Sequence, residues 1–409
     1  MSYLFNNKVG FVDNAVDAFN RLKVANPYTL FDSQNRYQIN DKWDQFGVTG
    51  GTFTYVQNES AVYLQVGTTL GSKITRETKR VFPYQPGKSL LVVQTFGFNT
   101  PKDGLLQRAG YFGITGGATA GIPYNGVFLE QDGITLSIVL ESASLNTTRR
   151  IYQSDWNGDR FDGTGASGRT LDITKANIFW MDIEWLGVGD VRTGFFVDGK
   201  PVVAHIFRNT NQFPTAYMTT ACLPLRYELV NTKGQTSSSA MKNICASIIS
   251  DGGYEGFSRR YNVSTDAQSV NLTTAQTYYP LLSIRLNSNR LDSIIVPSDI
   301  SFLIASNTWV HYRLILNGSF TGGTPSWTTH YNGNVDYIIH DGTLGITGYT
   351  DILGGYVNVN GVANVNQASS FNFQLGRTQK GVSDIFTVIA ASSSPNTKVS
   401  ADMSWFEIV

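Results

Sequence analysis

The stretch QSDWNGDRFDGTGASG, residues 153–168, carries oxygen-bearing side chains at a spacing that could hold a hard cation. Closely spaced carboxylate and amide oxygens are the ligands that Ca²⁺ takes in protein loops. The candidate calcium ligands are Asp155, Asn157, Asp159 and Asp162. A full EF-hand loop counted from Asp155 would need glycine and glutamate where this chain has Arg160 and Ala166. The complete motif is therefore absent.

Three interpretations of this stretch stay open: an irregular calcium loop, a sugar-binding loop, and plain turns. Its Asn-Gly and Asp-Gly pairs are typical of tight turns. Trp156 and Phe161 are expected to fix the loop against a core. Our working interpretation is a structured turn region; calcium is the one cofactor that this stretch could hold, and no other cofactor is expected.

The second stretch with chemical potential is WMDIEWLG, residues 180–187. Alternation along a strand places Trp180, Asp182 and Glu184 on one face, where two carboxylates and an aromatic ring could line a groove. We take Trp156, Trp180, Asp182 and Glu184 as candidate sugar contacts. The alternative is that the acids face solvent or pair with arginine while the tryptophans fill a core.

This stretch resembles the active strand of laminarinase- and lichenase-like glycoside hydrolases, whose motif reads Glu-x-Asp-x-Glu on a concanavalin-like jelly roll. Asp182 and Glu184 match its second and third acids, but Trp180 occupies the place of the nucleophilic glutamate. A retaining glycosidase needs its nucleophile and its acid/base about 5 Å apart. We therefore expect no enzyme activity, and the resemblance implies only a concanavalin-like fold for this part of the chain.

The composition indicates the elements that must position these residues. The chain has 409 residues with 40 Gly, 20 Tyr and 24 Phe but only 15% charged residues, which favours short strands joined by tight turns over helices. Period-two patterns recur from Gly47 onward, and residues 177–207 are predicted to form a three-stranded meander. The predicted fold class is all-β, built from antiparallel β-sandwiches of which the first is a jelly roll.

Three regions are predicted along the chain. Residues 1–46 read as a short amino-terminal arm, with two or three helical turns after Asp13 or Asn14 followed by an extended segment. Residues 47–250 are assigned to the jelly-roll sandwich and residues 251–409 to a second β-sandwich. The candidate assembly contacts of the arm are Phe19, Leu22, Tyr28, Leu30 and Phe31. The alternative for the arm is that it covers an edge strand of its own domain.

Charge and motifs exclude several classes of function. Thirty-one basic residues balance 31 acidic ones, so no nucleic acid is expected as a partner. No export signal or apolar span is visible, and we expect no membrane insertion. The four histidines never approach ligand spacing, and Cys222 and Cys245 are expected to be free thiols.

Taken over almost its whole length, the chain resembles a family of virion structural proteins of tailed bacteriophages, of the type found in aquatic phages. The segments that carry this resemblance are DAFNRLKVANPYTLFDSQNRY, TKRVFPYQPGKSLLVVQTF, DWNGDRFDGTGASGRTLD, FWMDIEWLGVGDVRTGF, SIISDGGYEG, LLSIRLNS and FNFQLGRT. The resemblance implies a place in the particle, assembled in the host cytoplasm, and assigns no catalytic or binding residue.

Three hypotheses follow. The first is a structural component of the virion, a homotrimeric tail fibre, spike, baseplate-associated or capsid-decoration protein that contacts other virion proteins through the arm. The second is an adhesin that binds a receptor or glycan on the host surface. The third is a polysaccharide depolymerase, which would rest on Asp182 and Glu184.

Overall fold

The chain folds into two compact all-β units. A computed structural model describes residues 2–5, 8–11, 26–114, 124–143, 145–253, 258–265, 268–305, 308–357, 362–366 and 373–408. The units are Met1–Glu255 and Gly256–Val409. The described residues form antiparallel strands with two short 3-10 turns, Gln57–Glu59 and Gln153–Asp155, which confirms the predicted fold class. Among these residues, no helix has the length and apolar character needed to cross a membrane.

The first unit is a jelly-roll sandwich. Its strands are β1 (Ser2–Phe5), β2 (Lys8–Phe11), β3 (Tyr28–Gln34), β4 (Trp43–Val48), β5 (Thr52–Val56), β6 (Ala61–Val66), β7 (Lys73–Thr78), β8 (Phe82–Pro83), β9 (Ser89–Gly97), β10 (Leu105–Ile114), β11 (Tyr124–Asp132), β12 (Thr135–Ser142), β13 (Thr147–Tyr152), β14 (Asn177–Ile183), β15 (Val191–Val197), β16 (Lys200–Phe207), β17 (Cys222–Leu223), β18 (Leu225–Asn231) and β19 (Ser239–Asp251).

Two large sheets face each other in this unit. One has the order β13-β12-β11-β10-β18-β7-β4, and the other has the order β16-β15-β14-β9-β19-β6-β5 with β3 also paired to β19. Alternate residues of each sheet point into the space between them, where Phe96 of β9 lies 6.2 Å from the ring of Tyr227 of β18. These two rings meet edge-on, and with the other buried apolar side chains they form the core.

The predicted meander is confirmed. Strand β15 pairs with β14 on one side and with β16 on the other, both antiparallel. The turn between β15 and β16 consists of Asp198 and Gly199, which both have positive φ, 51° and 75°. This two-residue turn suits the twist of adjoining strands and is the reason an Asp-Gly pair marks it in the sequence.

The extended segment assigned to the arm belongs instead to the sandwich. Strand β3 pairs with β19, and β4 pairs with β7 at the end of the other sheet. Leu30 and Phe31 are each only 2% exposed, and the Phe31 ring lies 5.0 Å from that of Phe82. The β19 strand offers unpaired backbone groups beyond the end of β6, and burying two large apolar side chains there contributes several kcal/mol.

The prediction of a free arm is therefore wrong for residues 28–46, and this segment covers its own domain as the alternative interpretation held. Tyr28 is 38% exposed at the start of β3. Phe19, Leu22 and the helical turns predicted after Asp13 lie outside the described residues.

The second unit is another β-sandwich. Its strands are β20 (Arg259–Ser264), β21 (Val270–Leu272), β22 (Tyr279–Leu286), β23 (Ile294–Ile304), β24 (Val310–Leu316), β25 (Ser319–Thr321), β26 (Thr328–Thr329), β27 (Val335–Ile339), β28 (Gly345–Thr347), β29 (Thr350–Val357), β30 (Val362–Asn366), β31 (Ile385–Ser392) and β32 (Thr397–Ile408). One sheet has the order β20-β32-β23-β30 with β21 also on β32, and the other has the order β26-β27-β22-β31-β24-β29. Phe302 of the first sheet packs 4.7 Å from Tyr312 of the second.

Candidate functional site

The loop at residues 153–168 uses its polar side chains to hold its own backbone. The Asp159 carboxylate is 4% exposed and accepts the N–H groups of Phe161 at 2.8 Å and Ser167 at 2.6 Å. The Asn157 amide donates to the Ile206 carbonyl at 2.9 Å and accepts the Ile206 N–H at 2.8 Å. The Asp159 bonds stay within the loop, and the two Asn157 bonds attach the loop to β16.

The other two candidate calcium ligands, Asp155 and Asp162, make no contact with Asn157 or Asp159 among the hydrogen bonds of the described residues. Asp162 accepts the hydroxyl and the N–H of Thr164, and these bonds lower the pKa of its carboxyl. Asp155 is exposed in a 3-10 turn. Asp159 and Asp162 thus accept backbone N–H groups of their own loop, and Asn157 bonds to the backbone of β16, so three of the four predicted calcium ligands serve local structure. Within the described ranges, no group of three or more His, Cys, Asp or Glu side chains is placed to hold a metal ion.

The aromatic residues of the loop fix it to the core as predicted. The Trp156 ring stacks 6.3 Å from Phe195 of β15, and the Phe161 ring meets the same Phe195 edge-on at 5.3 Å. Trp156 is 2% exposed and Phe161 1% exposed. The prediction that Trp156 contacts sugar is wrong, because its ring has no face open to solvent.

Trp180, Asp182 and Glu184 share a side of β14 but do not line an open groove. Their exposures are 5%, 1% and 0%. Asp182 forms a 2.5 Å ion pair with Arg192 of the adjoining strand, and Glu184 accepts the hydroxyl of Tyr84 at 2.7 Å. Burial, then the bond to Glu184, raises the pKa of the Tyr84 phenol, so it stays a donor. The expected sugar contacts are therefore internal supports of the sheet.

The Trp180 ring occupies the space left by the missing side chain of Gly194 on the adjacent strand. A Cβ atom on Gly194 would stand 3.0 Å from the Trp180 ring and 1.9 Å from the Val202 carbonyl oxygen. Gly194 lies opposite Trp180 across the β14–β15 pair, next to a register shift in the β15–β16 pair. The absence of a side chain there lets the indole lie against the sheet, which closes the surface that a ligand would need.

A row of five charged side chains lies on the sheet that contains β10 and β18, and we call it the arginine–glutamate ladder. Its members are Glu130 of β11, Arg108 of β10, Glu228 and Arg226 of β18, and Glu77 of β7. Arg108 contacts Glu130 at 2.7 Å and Glu228 at 3.0 Å, while Arg226 contacts Glu77 at 2.5 Å and Glu228 at 3.0 Å. Opposite charges thus alternate across four neighbouring strands.

The ladder is built for cohesion. Burial alone would raise the pKa of Glu228, but Arg226, Lys73 and Arg108 hold it well below its usual range. Glu130 and Glu228 are 0% and 1% exposed. A carboxylate so firmly ionised and so enclosed by cations is a poor proton donor for a sugar substrate. The arrangement holds strands together and shows no sign of general acid chemistry.

The second unit contains an open cleft lined by tyrosine, asparagine and charged side chains, which we call the tyrosine cleft. Its lining residues are Arg259 and Tyr261 of β20, Glu407 of β32, and Tyr331, Asn332 and Asn334 between β26 and β27, with Ser258 at one end. Its volume is about 700 Å³. The size lies in the range of small-molecule sites, and the lining combines two tyrosine side chains with charged and amide groups.

Glu407 is the buried polar centre of this cleft. It is 2% exposed, and its two oxygens accept hydrogen bonds from the side-chain amides of Asn332 and Asn334. Asn332 in turn accepts the backbone N–H of Asn334 at 3.1 Å, which fixes the pair of amides. Arg259 stands directly opposite Glu407 in the β20–β32 register and is exposed.

Aromatic rings extend from the core of the second unit to the mouth of the cleft. Trp405 is fully buried, Tyr261 lies 6.3 Å from it, and Tyr331 lies 5.6 Å beyond Tyr261 and is 84% exposed. The His330 ring supports Tyr331 at 4.1 Å. Tyr331 therefore presents an aromatic face to solvent while its base is held by other rings.

Sequence reasoning did not find this cleft. The three segments that meet there are far apart in the chain, and none carries a motif of recognisable spacing. The one available signal was the run HYNGN at residues 330–334, an aromatic residue beside two asparagines, which the sequence alone marks only as a turn.

Both cysteines are half-buried, and the histidines His205 and His340 are buried. Cys222 and Cys245 are free thiols, and burial raises the pKa of Cys245. Burial lowers the pKa of His205, next to the loop, and of His340, in the second unit, to about 4 each. Both imidazoles are neutral at pH 7.

No protein-family model and no curated protein matches the chain. Among solved structures, it is similar to a Bacillus licheniformis beta-glucanase (11% identity, 53% of this chain, 96% of that chain, TM-score 0.34). It is also similar to a legume lectin-like domain from Entamoeba histolytica (10% identity, 54% of this chain, 96% of that chain, TM-score 0.32). A third is a prokaryotic beta-1,3-1,4-glucanase derived from a mouse hindgut metagenome (12% identity, 53% of this chain, 97% of that chain, TM-score 0.33).

Proposed function

We propose that this chain is a structural component of a tailed-bacteriophage virion, a homotrimeric tail fibre, spike, baseplate-associated or capsid-decoration protein. The sequence resemblance motivates the proposal, and the arginine–glutamate ladder supports it. The ladder commits buried carboxylates of the first unit to alternating ion pairs across four strands. The carboxylates of the ladder are thus occupied by fixed cations, which fits a structural component better than a catalytic one.

The depolymerase alternative rested on Asp182 and Glu184. Both carboxylates are buried, one against Arg192 and the other against Tyr84. A glycosidase needs a carboxylic acid and a nucleophile open to the sugar. This geometry favours a role without catalysis, and the acids act as supports of β14 and its neighbours.

Self-association tests the structural proposal. Light scattering coupled to size-exclusion chromatography on the full chain should give three times the chain mass of 45.0 kDa, with or without a chelator. Immunogold electron microscopy with antibodies against the chain should then label phage particles at one symmetric location. A chain that stays monomeric and labels no particle would refute the proposal.

A further inference from the structure

We infer that the tyrosine cleft of the second unit is a binding site for a neutral saccharide. This goes beyond a structural role in a particle and does not depend on it. The cleft differs from the residues predicted to contact sugar, Trp156 and Trp180, because it offers an aromatic face that is open. Tyr331 is 84% exposed there, against 2% for Trp156 and 5% for Trp180.

The first step of the argument is the ring at the mouth. A pyranose has one face made largely of C–H groups, and such a face packs against an aromatic ring because both surfaces are poorly hydrated. The base of Tyr331 is held by His330 at 4.1 Å and Tyr261 at 5.6 Å. These contacts restrict the Tyr331 ring along one edge, which reduces the entropy lost on binding.

The second step is the set of hydrogen-bonding groups below the ring. Each oxygen of Glu407 accepts one amide bond, from Asn332 or Asn334, and a carboxylate oxygen has room for a second donor. Sugar hydroxyls are such donors. Arg259, next to Glu407 on the adjacent strand, can supply N–H groups to hydroxyl oxygens. Donors and acceptors for adjacent hydroxyls thus face one cavity.

The third step is charge, which decides the class of ligand. Glu407 is held by two neutral amides, and Arg259 is its counterpart across the strand pair. The electrostatic potentials of one negative and one positive group in the same cleft largely cancel, so the cleft attracts neither a cation nor an anion strongly. A neutral polyhydroxylated ligand satisfies both groups without changing the charge of the site. The volume of about 700 Å³ accommodates a short oligosaccharide.

The test uses the full chain and named probes. Saturation-transfer NMR with maltotriose, cellotriose, laminaritriose and chitotriose, preceded by a printed array of neutral oligosaccharides, reports binding to the wild type. We expect at least one of these glycans to bind, with an affinity unchanged between 50 and 500 mM salt because the ligand carries no charge. The Tyr331→Ala variant should lose about tenfold or more, and Tyr331→Phe should bind like the wild type.

Matched controls locate the site. Arg259→Gln removes an exposed side chain of the cleft and should also weaken binding. Tyr356→Ala removes a ring that is 72% exposed in the same unit but outside the cleft, and should leave binding unchanged. The inference is overturned if no neutral glycan binds the wild type, if Tyr331→Ala binds as well as the wild type, or if Tyr356→Ala loses as much. Binding of a trilysine peptide in place of glycans would also overturn it.

The result is independent of the structural proposal. Light scattering and particle labelling report assembly, whereas the glycan measurements report the cleft. A trimer without glycan binding would refute only the saccharide site, and a monomer that binds glycan through Tyr331 would refute only the proposed assembly.

Discussion

Acid should weaken the second unit through His340. This side chain is 4% exposed, its Nε2 lies 2.8 Å from the Ser283 hydroxyl, and Phe320 covers it at 5.2 Å. Burial lowers the pKa of His340 from 6.5 to about 4. Between these two pH values the unfolded chain binds a proton that the folded chain refuses. The free energy of unfolding therefore falls as the pH drops below 6.5.

The magnitude follows from that pKa difference. Each pH unit inside the window is worth about 1.4 kcal/mol for one group, so lowering the pH from 7 to 5 should remove about 2 kcal/mol. The His340→Gln variant keeps a polar group near Ser283 but does not titrate. The wild type should lose about 2 kcal/mol more than this variant over the same pH change.

Hydrogen exchange followed by mass spectrometry measures this difference locally. Peptides from β22 and β31, which adjoin Ser283, should show the additional loss of protection in the wild type at pH 5. Peptides from β10 and β18 of the first unit serve as the control, because His340 lies outside that unit. Equal losses in the wild type and His340→Gln would refute the assignment of a low pKa to this buried imidazole.

Three further substitutions test how side chains support the first unit. Glu228→Gln should cost about 2–3 kcal/mol in the free energy of unfolding, because Arg108 and Arg226 each lose one charged contact while keeping Glu130 and Glu77, and urea unfolding measures this. Phe31→Ala should cost about 3–5 kcal/mol in the same assay, because it removes a buried ring. Tyr28→Ala, at a 38% exposed position, should cost much less. Equal effects would favour the interpretation of this segment as a free attachment arm. Trp156→Ala should lower the melting temperature in calorimetry without changing any glycan signal, and a lost signal with an unchanged melting temperature would contradict its core position.

Local patterns were sufficient for the strands. The alternation in residues 177–207 and the Asp198-Gly199 pair predict a meander because a strand, its turn and its partner are adjacent in the chain. The same locality allowed Trp156 and Phe161 to be placed against the core. Each of these predictions depends on residues within one hairpin or one loop.

Register between distant segments could not be predicted. Leu30 and Phe31 are buried because β3 reaches β19, whose sequence lies more than two hundred residues later, and no pattern near β3 identifies that partner. Trp180 has the alternation of an exposed groove residue, and its burial depends on the missing side chain of Gly194 on the next strand. The alternation of residues along a strand predicts which side chains share a face of the sheet. Whether that face is exposed depends on the elements that pack against it, which the alternation does not identify.

The two units use buried carboxylates in opposite ways. In the arginine–glutamate ladder, Glu130 meets Arg108 and Arg150 directly, so its charge is consumed by fixed cations. In the tyrosine cleft, the Glu407 carboxylate lines the cavity and accepts bonds from two neutral amides, so each oxygen retains a lone pair for a further donor. The same substitution should therefore have different consequences at the two positions.

Glu130→Gln should lower the stability of the first unit and leave glycan affinity unchanged, because it weakens the sheet without altering the cleft. Glu407→Gln should weaken glycan binding, because an amide replaces one acceptor by a donor where hydroxyl donors are expected. Urea unfolding gives the free energy of unfolding of each variant, and saturation-transfer NMR gives its glycan affinity. If Glu130→Gln weakened binding as much as Glu407→Gln, the charge held by Asn332 and Asn334 would have no special role in recognition.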